Sequence, residues 1–335
     1  MINHLNVGLL GGGSWGTTVA ALVTRNAPVT LWARNPQTVE EINSHHTNST
    51  YLPDASLPDK LRASTDIAET VGGADVVVMG IPSQNFRAVL QEVKKHIRAW
   101  VPVISLTKGL ELDTRMRMTQ IINDVLPGHP VGVLTGPNLA REIMAGQAAA
   151  SVLAMEDDII VKELSTVFKS GLFRVYTNND VIGCELGGVL KNIIAIAVGM
   201  GDGQGAGDNT RSALITRGLA EVTRLGVAMG GKAETFAGLA GMGDMIATCT
   251  SPQSRNRHVG VELGKGRNMP EIIDEMVMVA EGAKSAPAVM ALAEQYGVEM
   301  PIAQDVYRVV SGDATASRAF RGLLRVSAGA ECEPG

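Results

Sequence analysis

The chain has few cysteines and no long uninterrupted apolar run. Its three cysteines, Cys184, Cys249 and Cys332, are odd in number and lack C-x-x-C spacing, so we expect neither a disulfide framework nor a zinc site. The six histidines are scattered or, like His45 and His46, adjacent in a polar stretch, so no metal is expected. Without a run of about 18 apolar residues or a signal-like N-terminus, we expect a cytoplasmic protein with no integral membrane contact.

A strong charge of either sign is also missing. Lysine and arginine total 29 against 34 aspartates and glutamates, and no basic run occurs, which argues against nucleic acid or an anionic membrane as a partner. The hydrophobic share of 45% and the charged share of 19% are those of an ordinary globular protein. The length of 335 residues suits two domains.

The first half of the chain alternates short apolar runs with amphipathic segments such as 16–26 and 84–96. The apolar runs occupy residues 5–10, 29–33, 75–81, 101–107, 131–135, 150–155 and 173–177. Runs of this length suit strands buried on both faces, and their alternation with helices predicts a Rossmann-type, doubly wound, mostly parallel sheet. We assign residues 1–180 to this α/β domain and expect its ligand at the carboxyl ends of the strands.

The second half shows no comparable alternation. Helical patterns cover residues 181–200, 209–225, 282–296 and 301–311. We therefore predict an all-α domain over residues 181–327, with a boundary near 178–185. Residues 328–335 are small and polar with glycine and proline, and we expect a disordered tail.

A glycine signature follows the first predicted strand. Gly11, Gly13 and Gly16 satisfy G-x-G-x-x-G and lead into an apolar helix. In such a loop the glycines permit a tight turn, the approach of backbone to a pyrophosphate, and close packing of strand and helix. A purely structural turn is the alternative, and the flanking strand and helix favour a dinucleotide site.

The second predicted strand ends at Arg34, where an NAD-selective site usually carries an acidic residue. A guanidinium can bind the 2′-phosphate of NADP in a bidentate manner. The sequence therefore predicts acceptance of NADPH beside NADH, unless Arg34 is only a solvated surface residue.

One lysine, Lys191, lies in an otherwise apolar helical segment, GGVLKNIIAIA at residues 187–197. Desolvation lowers a lysine pKa and makes the amine usable for proton transfer near neutral pH. The alternative is a lysine that extends from a helix end to solvent. Asp244, in another stretch of small and apolar residues, could orient this lysine or a substrate hydroxyl.

A phosphate pocket is predicted downstream of Asp244. Ser254 resembles an N-cap, and the helix start behind it together with Arg255 would bind a phosphate group. The alternative is a capped helix with surface arginines. Lys108 and the segment from Gly136 to Asn138 each follow a predicted strand, where a surface charge and a plain turn are the alternatives.

These motifs occur together, in this order, in the NAD(P)-dependent glycerol-3-phosphate dehydrogenases of bacteria, which the chain resembles from about residue 5 to residue 325. The matching segments are GGGSWGT at 11–17, TKGLE, GPNLARE at 136–142, GGVLKNIIAIA, NTRSALITRGLAE at 209–221, AGMGDMIATCTSPQSRNR at 240–257 and VAEG at 279–282. At Asn138 and Leu139 the family usually has Ser or Thr followed by Phe, so the shape of this contact differs.

The resemblance implies roles for the matching positions. Cofactor contacts would come, beside the three signature glycines, from Ser14, Trp15, Arg34, Lys108, Ala140, Arg255, Val279 and Glu281. Substrate contacts would come from Lys108, Gly136, Asn138, Lys191, Asp244, Ser254, Arg255 and Asn256. Lys191 would be the catalytic proton acceptor.

The function implied is the interconversion of sn-glycerol 3-phosphate and dihydroxyacetone phosphate, with NADPH/NADP or NADH/NAD, supplying glycerol 3-phosphate for phospholipid synthesis. Two alternatives stay open: a related lysine-dependent hydroxyacid dehydrogenase, and a non-catalytic NADPH sensor. Apolar helices in the second domain suit a homodimer interface.

Overall fold

The computed structural model describes residues 5–276 and 280–323, which form two compact units. The first unit comprises the described residues up to Thr107 together with Met116–Val181. The second comprises Lys108–Arg115 together with the described residues from Ile182 onward. Residues 108–115 lie inside the span assigned to the first domain, but they join the second unit because Leu110 is completely buried in its core. Val279, Cys332 and residues 328–335 lie outside the described residues.

The first unit contains an eight-stranded sheet. Its strands are β1 Val7–Leu10, β2 Val29–Trp32, β3 Arg62–Ser64, β4 Val76–Met79, β5 Val103–Ser105, β6 Val131–Thr135, β7 Ala149–Met155 and β8 Phe173–Asn178. Their order is β3-β2-β1-β4-β5-β6-β7-β8, and neighbours are parallel except β6 and β7, which are antiparallel. The strand order reverses beside β1, where sheets of this kind bind ligands.

Helices cover both faces of this sheet. They are α1 Ser14–Val23, α2 Pro36–His45, α3 Ile67–Gly72, α4 Ser83–Lys94, α5 Met118–Val125, α6 Ala140–Met144 and α7 Asp158–Phe168. Successive strand residues point to opposite faces, so Leu9 packs in one cluster with Val19 of α1, whereas Leu10 packs in another with Phe86 of α4. This two-sided burial explains why the strands are apolar throughout.

The second unit is helical in its described part. It contains α8 Val181–Gly203, α9 Asp208–Ala228, α10 Ala233–Phe236, a π-helical turn at Leu239–Gly243, α11 Asp244–Thr250, α12 Arg255–Gly264, α13 Met269–Asp274, α14 Glu281–Tyr296, α15 Pro301–Val310 and α16 Ala316–Leu323. By length and composition α8 could cross a membrane, but 94% of its most apolar stretch is buried. Core helices of globular domains meet the same criteria, and α8 is the core helix here.

The predicted fold class is confirmed. Each of the seven apolar runs coincides with a strand to within a few residues, and α8 begins at Val181, inside the expected boundary region. The strand β3 was not predicted because three residues, one of them an arginine, form no apolar run. Helices α10, α11 and α13 were also not predicted, since they have only four to seven residues, whereas the start of α12 was predicted at Ser254.

A buried carboxylate joins two helices of the second unit. Glu221 of α9 is 2% exposed, and its Oε1 and Oε2 accept hydrogen bonds from the backbone N–H groups of Ile302 (2.8 Å) and Ala303 (3.2 Å). These groups belong to the first turn of α15, where backbone donors have no partner within the helix. Burial raises the pKa of Glu221 to about 7, although the two backbone donors oppose this rise.

The raised pKa predicts a pH-dependent stability. Unfolding returns Glu221 to its ordinary pKa of 4.5, so its contribution to the free energy of unfolding is lost as pH rises from about 4.5 to 7, by up to about 3 kcal/mol. We expect urea unfolding at pH 5 and pH 8 to show this loss in the wild-type chain and not in Glu221→Gln. The exposed Glu299 lies two residues before α15, and Glu299→Gln should retain the loss. Equal pH dependence in wild type and Glu221→Gln would contradict the assignment.

Candidate active site

The loop between β1 and α1 requires glycine at two positions. Gly11 has a φ of +123°, and a Cβ there would lie 2.3 Å from the carbonyl oxygen of Gly80. A Cβ on Gly16 would lie 2.0 Å from the carbonyl oxygen of Gly11. Both distances are far inside van der Waals contact, so these glycines allow the turn and the close packing of α1 on the strand that precedes it.

Gly13 differs, because no atom of the described residues lies within 4 Å of a Cβ built on it. It is the N-cap of α1, and because glycine has no side chain, it adds no bulk at the helix start. Unpaired backbone N–H groups and the positive end of the helix dipole make such a start favourable for phosphate. The open space at Gly13 therefore fits a dinucleotide pyrophosphate.

The segment from Asn48 to Tyr51 forms hydrogen bonds with this loop and with the first turn of α1. The buried Asn48 Nδ2 donates to the carbonyl oxygen of Gly12 and to Thr17 Oγ1, both at 2.9 Å. Ser14 Oγ donates to the carbonyl oxygen of Tyr51 at 3.0 Å. Sequence reasoning missed Asn48, since it lies in a polar stretch without a motif, about thirty residues from the groups it contacts.

Arg34 and Trp15 flank the glycine loop. Arg34 is exposed two residues beyond β2, and because β1 and β2 are parallel neighbours, their carboxyl ends meet at one sheet edge. The Trp15 ring lies 6.2 Å from that of Phe173, centroid to centroid, and its buried Nε1 has no hydrogen-bond partner among the described residues. The predicted cofactor residues of the loop and Arg34 are thus brought to the same edge.

The segment after β6 contributes a second buried donor to the first unit. Gly136 has a φ of +135°, and a Cβ there would lie 3.1 Å from Cα of Ser151. Asn138 Oδ1 accepts a hydrogen bond from Ser151 Oγ at 2.7 Å, while its buried Nδ2 has no partner in the described part of the chain. Ala140 begins α6. Asn138 therefore presents an amide N–H pair suited to a ligand oxygen.

In the second unit Lys191 is buried, with 4% of its surface exposed. Its Nζ lies 2.5 Å from Asp244 Oδ1 and 2.5 Å from Thr248 Oγ1. Thr248 Oγ1 in turn donates to the backbone carbonyl of Asp244 at 2.6 Å. Thr248 was not predicted, although it follows Asp244 by four residues, the helical spacing that places two side chains on one face.

Burial lowers the pKa of Lys191 from 10.5 to about 8, against the opposing effect of the Asp244 carboxylate. The positive charge of Lys108 lowers it further. An amine with this pKa exchanges a proton near neutral pH, as a general acid or base requires.

Asp244 binds two lysines with its two oxygens. Lys108 Nζ lies 2.7 Å from Oδ2, opposite the oxygen that faces Lys191. Asp244 is 1% exposed, whereas the side chain of Lys108 is 19% exposed. Two ammonium groups on one carboxylate leave a local excess of positive charge, which favours an anionic or polar oxygen ligand.

Small residues bring Asp244 to Lys191. A Cβ on Gly187, one turn before Lys191 in α8, would lie 2.6 Å from the carbonyl oxygen of Ala240 in the π-helical turn. Within that turn, a Cβ on Gly241 would lie 2.1 Å from the carbonyl oxygen of Phe236. The backbone therefore passes directly over α8 just before α11 begins at Asp244.

The start of α12 is capped as predicted. Ser254 Oγ accepts a hydrogen bond from the backbone N–H of Arg257 at 3.2 Å. Arg255 is the first helical residue, and it is exposed. An N-capped helix start beside a guanidinium is a favourable site for a phosphate group.

Asn256 is engaged on both sides of its amide. Its Oδ1 accepts from the backbone N–H of Gly282 at 3.0 Å, and its Nδ2 donates to Asn192 Oδ1 at 2.9 Å. Asn192, directly after Lys191, was not predicted. This pair ties the starts of α12 and α14 to α8, and Glu281 is the first residue of α14. No group of three or more potential metal ligands occurs among the described residues.

The two halves of the chain match two family models. The N-terminus of NAD-dependent glycerol-3-phosphate dehydrogenase matches residues 6–160, and the C-terminus of the same family matches residues 180–321. The chain belongs to the NAD-dependent glycerol-3-phosphate dehydrogenase family. The family resemblance inferred from the motifs is therefore confirmed.

Individual relatives in this family are similar over nearly their full length. A glycerol-3-phosphate dehydrogenase (NAD(P)+) of Sphingopyxis alaskensis is 71% identical over 99% of this chain and 100% of its own. One of Mycobacterium tuberculosis is 56% identical over 94% and 93%. A crystal structure of glycerol-3-phosphate dehydrogenase from Coxiella burnetii has a TM-score of 0.92 at 37% identity, over 96% of this chain and 99% of that one.

The space at Gly13 predicts that fold and cofactor binding can be separated. In Gly13→Ala the new methyl group meets no protein atom, so we expect a melting temperature within a few degrees of wild type, with NADPH affinity at least about tenfold weaker. Gly16→Ala should lower both, since its Cβ would clash with the backbone. Gly72→Ala, in equally open space at the end of α3, is the matched control and should change neither. Thermal melts and fluorescence titration measure these quantities, and undiminished binding by Gly13→Ala would remove the cofactor from that space.

Proposed function

We propose that the chain interconverts sn-glycerol 3-phosphate and dihydroxyacetone phosphate with NADPH or NADH, and that Lys191 transfers the proton. The observation that carries this proposal is the buried lysine hydrogen-bonded to Asp244 and Thr248, in a chain of this dehydrogenase family. A buried amine with a pKa near 8 is suited to proton transfer, unlike the amine of an ordinary solvent-exposed lysine.

The first unit is the proposed NAD(P)-binding domain, and the second is the proposed substrate and catalytic domain. The glycine loop, Ser14, Trp15, Arg34 and Ala140 would hold the cofactor from the first unit. Lys108, Arg255, Val279 and Glu281 would do so from the second. The open space at Gly13 and the unpartnered Nε1 of Trp15 support this assignment.

The nicotinamide cofactor, when bound, supplies or accepts the hydride. In ketone reduction, protonated Lys191 gives its proton to the oxygen on C2. In alcohol oxidation, neutral Lys191 takes the proton from the same oxygen. Asp244 holds the amine in place by its hydrogen bond, and Lys108 on the other carboxylate oxygen would position a second substrate oxygen.

The phosphate of the substrate would bind at the start of α12. Arg255 offers a guanidinium there, and Ser254 offers a hydroxyl proton in addition to its capping bond. Asn256 would act through its bonds to Asn192 and Gly282, which keep this helix start in place. Gly136 and the amide N–H groups of Asn138, which have no partner among the described residues, would complete the substrate contacts.

The cellular setting is part of the same proposal. We place the enzyme in the cytoplasm, where buried thiols such as Cys184 and Cys249, which form no disulfide among the described residues, stay reduced. It would act as a homodimer and supply glycerol 3-phosphate for phospholipid synthesis.

The test follows NADPH absorbance with dihydroxyacetone phosphate, with unphosphorylated dihydroxyacetone, and with Lys191→Ala. We expect rapid oxidation only with the phosphorylated ketone, and a loss of kcat of at least about a thousandfold in Lys191→Ala, because general acid catalysis disappears. Because the proton donor is lost above its pKa, reduction should slow as pH rises through about 8 while oxidation accelerates.

Lys94→Ala, at the end of α4, is the matched control for removing a lysine amine. NADPH binding without turnover of any ketone would favour the sensor, and equal rates with unphosphorylated hydroxy or keto acids would favour the hydroxyacid dehydrogenase. An unchanged kcat in folded Lys191→Ala would take this lysine out of the chemistry.

Arg34 predicts a separate effect on cofactor choice. Arg34→Ala should raise the KM for NADPH by about tenfold or more and leave that for NADH unchanged, since only NADPH carries the 2′-phosphate. Arg25→Ala, an exposed arginine beyond the far end of α1, should change neither value. Equal increases for both cofactors would refute a 2′-phosphate contact.

A further inference from the structure

Asp202 is a buried carboxylate that the proposed reaction does not use. It lies in the last turn of α8, eleven residues after Lys191, and its side chain is 8% exposed. Eleven residues make about three helical turns, so Asp202 and Lys191 project from the same face of α8.

Two arginines share this carboxylate. Arg257 of α12 approaches Oδ2 with Nε at 2.8 Å and with a terminal nitrogen at 2.7 Å. Arg211 of α9 approaches Oδ1 with Nε at 3.1 Å and with a terminal nitrogen at 2.9 Å. Paired donors from a planar guanidinium fix direction as well as distance. Asp202 therefore links the starts of α9 and α12 to the end of α8.

Val259 and Leu263 of α12 pack in the same buried cluster as side chains of α8, and the two helices also touch directly through glycines. A Cβ on Gly199 would lie 2.2 Å from the carbonyl oxygen of Arg257, and one on Gly260 would lie 2.1 Å from that of Ile196. The two backbones thus touch through glycines, without interlocking side chains at these points. Side-chain interlocking normally sets the geometry of a helix pair.

Two residues in the first turn of α12 form polar side-chain contacts with α8. Asn256 is held by Asn192, and Arg257 is held by Asp202. Arg255, the proposed phosphate ligand, precedes both and is exposed. These two contacts therefore help to hold the helix start that carries Arg255.

We propose that Asp202 is a positioning residue for substrate phosphate: through Arg257 it holds the first turn of α12 so that Arg255 and the helix start face the phosphate group. The inference rests on the proposed function, since it assumes that this helix start binds the phosphate. Asp202 itself would touch neither substrate nor cofactor.

The test measures kcat/KM for dihydroxyacetone phosphate and for unphosphorylated dihydroxyacetone in wild type and in Asp202→Asn. We expect the ratio of the two values to fall about tenfold, through a higher KM for the phosphorylated ketone. The pH profile set by Lys191 should not change. A general loosening of the fold would lower both kcat/KM values together and leave the ratio intact.

Asp208→Asn is the matched control. Asp208 also pairs with Arg211, but its side chain is 91% exposed, so its removal should leave the ratio unchanged. Arg257→Gln breaks the Asp202 tie from the other side and should lower the ratio as Asp202→Asn does. Arg257→Lys, which keeps the charge, should recover part of it.

An unchanged ratio in folded Asp202→Asn would overturn the inference. If Asp202→Asn does not fold, the ratio in Arg257→Gln decides the question in the same way. A wild-type enzyme without preference for the phosphorylated ketone would instead overturn the phosphate pocket of the proposed function.

Discussion

The buried ammonium group of Lys191 is the constraint on which the second unit depends. A charge removed from water costs several kcal/mol unless a partner compensates it. Asp244 is that partner, and its approach requires the π-helical turn to pass over Gly187. The second oxygen of Asp244 engages Lys108, whose segment joins the helical unit through the buried Leu110. The two ion pairs of Asp244 thus connect α8, α11 and a segment distant in sequence.

The two helix starts that we propose as phosphate sites are built differently. At α1 the N-cap is Gly13, which leaves the space in front of the helix open for a large dinucleotide. At α12 the N-cap is Ser254, which satisfies one backbone donor itself, and Arg255 adds a full positive charge. The first arrangement suits a cofactor whose pyrophosphate must lie close to the protein backbone. The second suits a small phosphorylated substrate.

Several features were predictable because they depend on local pattern. Strands buried on both faces must be apolar, so seven of them are visible as apolar runs, whereas the short edge strand β3 is not. The glycine signature and the lone lysine of an apolar helix are likewise local. The antiparallel pairing of β7 with β6 could not be seen, because the apolar content of a buried strand is independent of its direction.

By itself, the sequence determined the fold class, the glycine loop and the choice of Lys191 as the candidate for proton transfer. Apolar periodicity, backbone freedom and the cost of burying a charge are properties of short segments. Only the tertiary structure decided which groups meet Lys191 and what supports the loop. Thr248, Asn192 and Asn48 act through hydrogen bonds across elements far apart in the chain. Such bonds depend on distances of about 3 Å between side chains, which no pattern along the chain specifies.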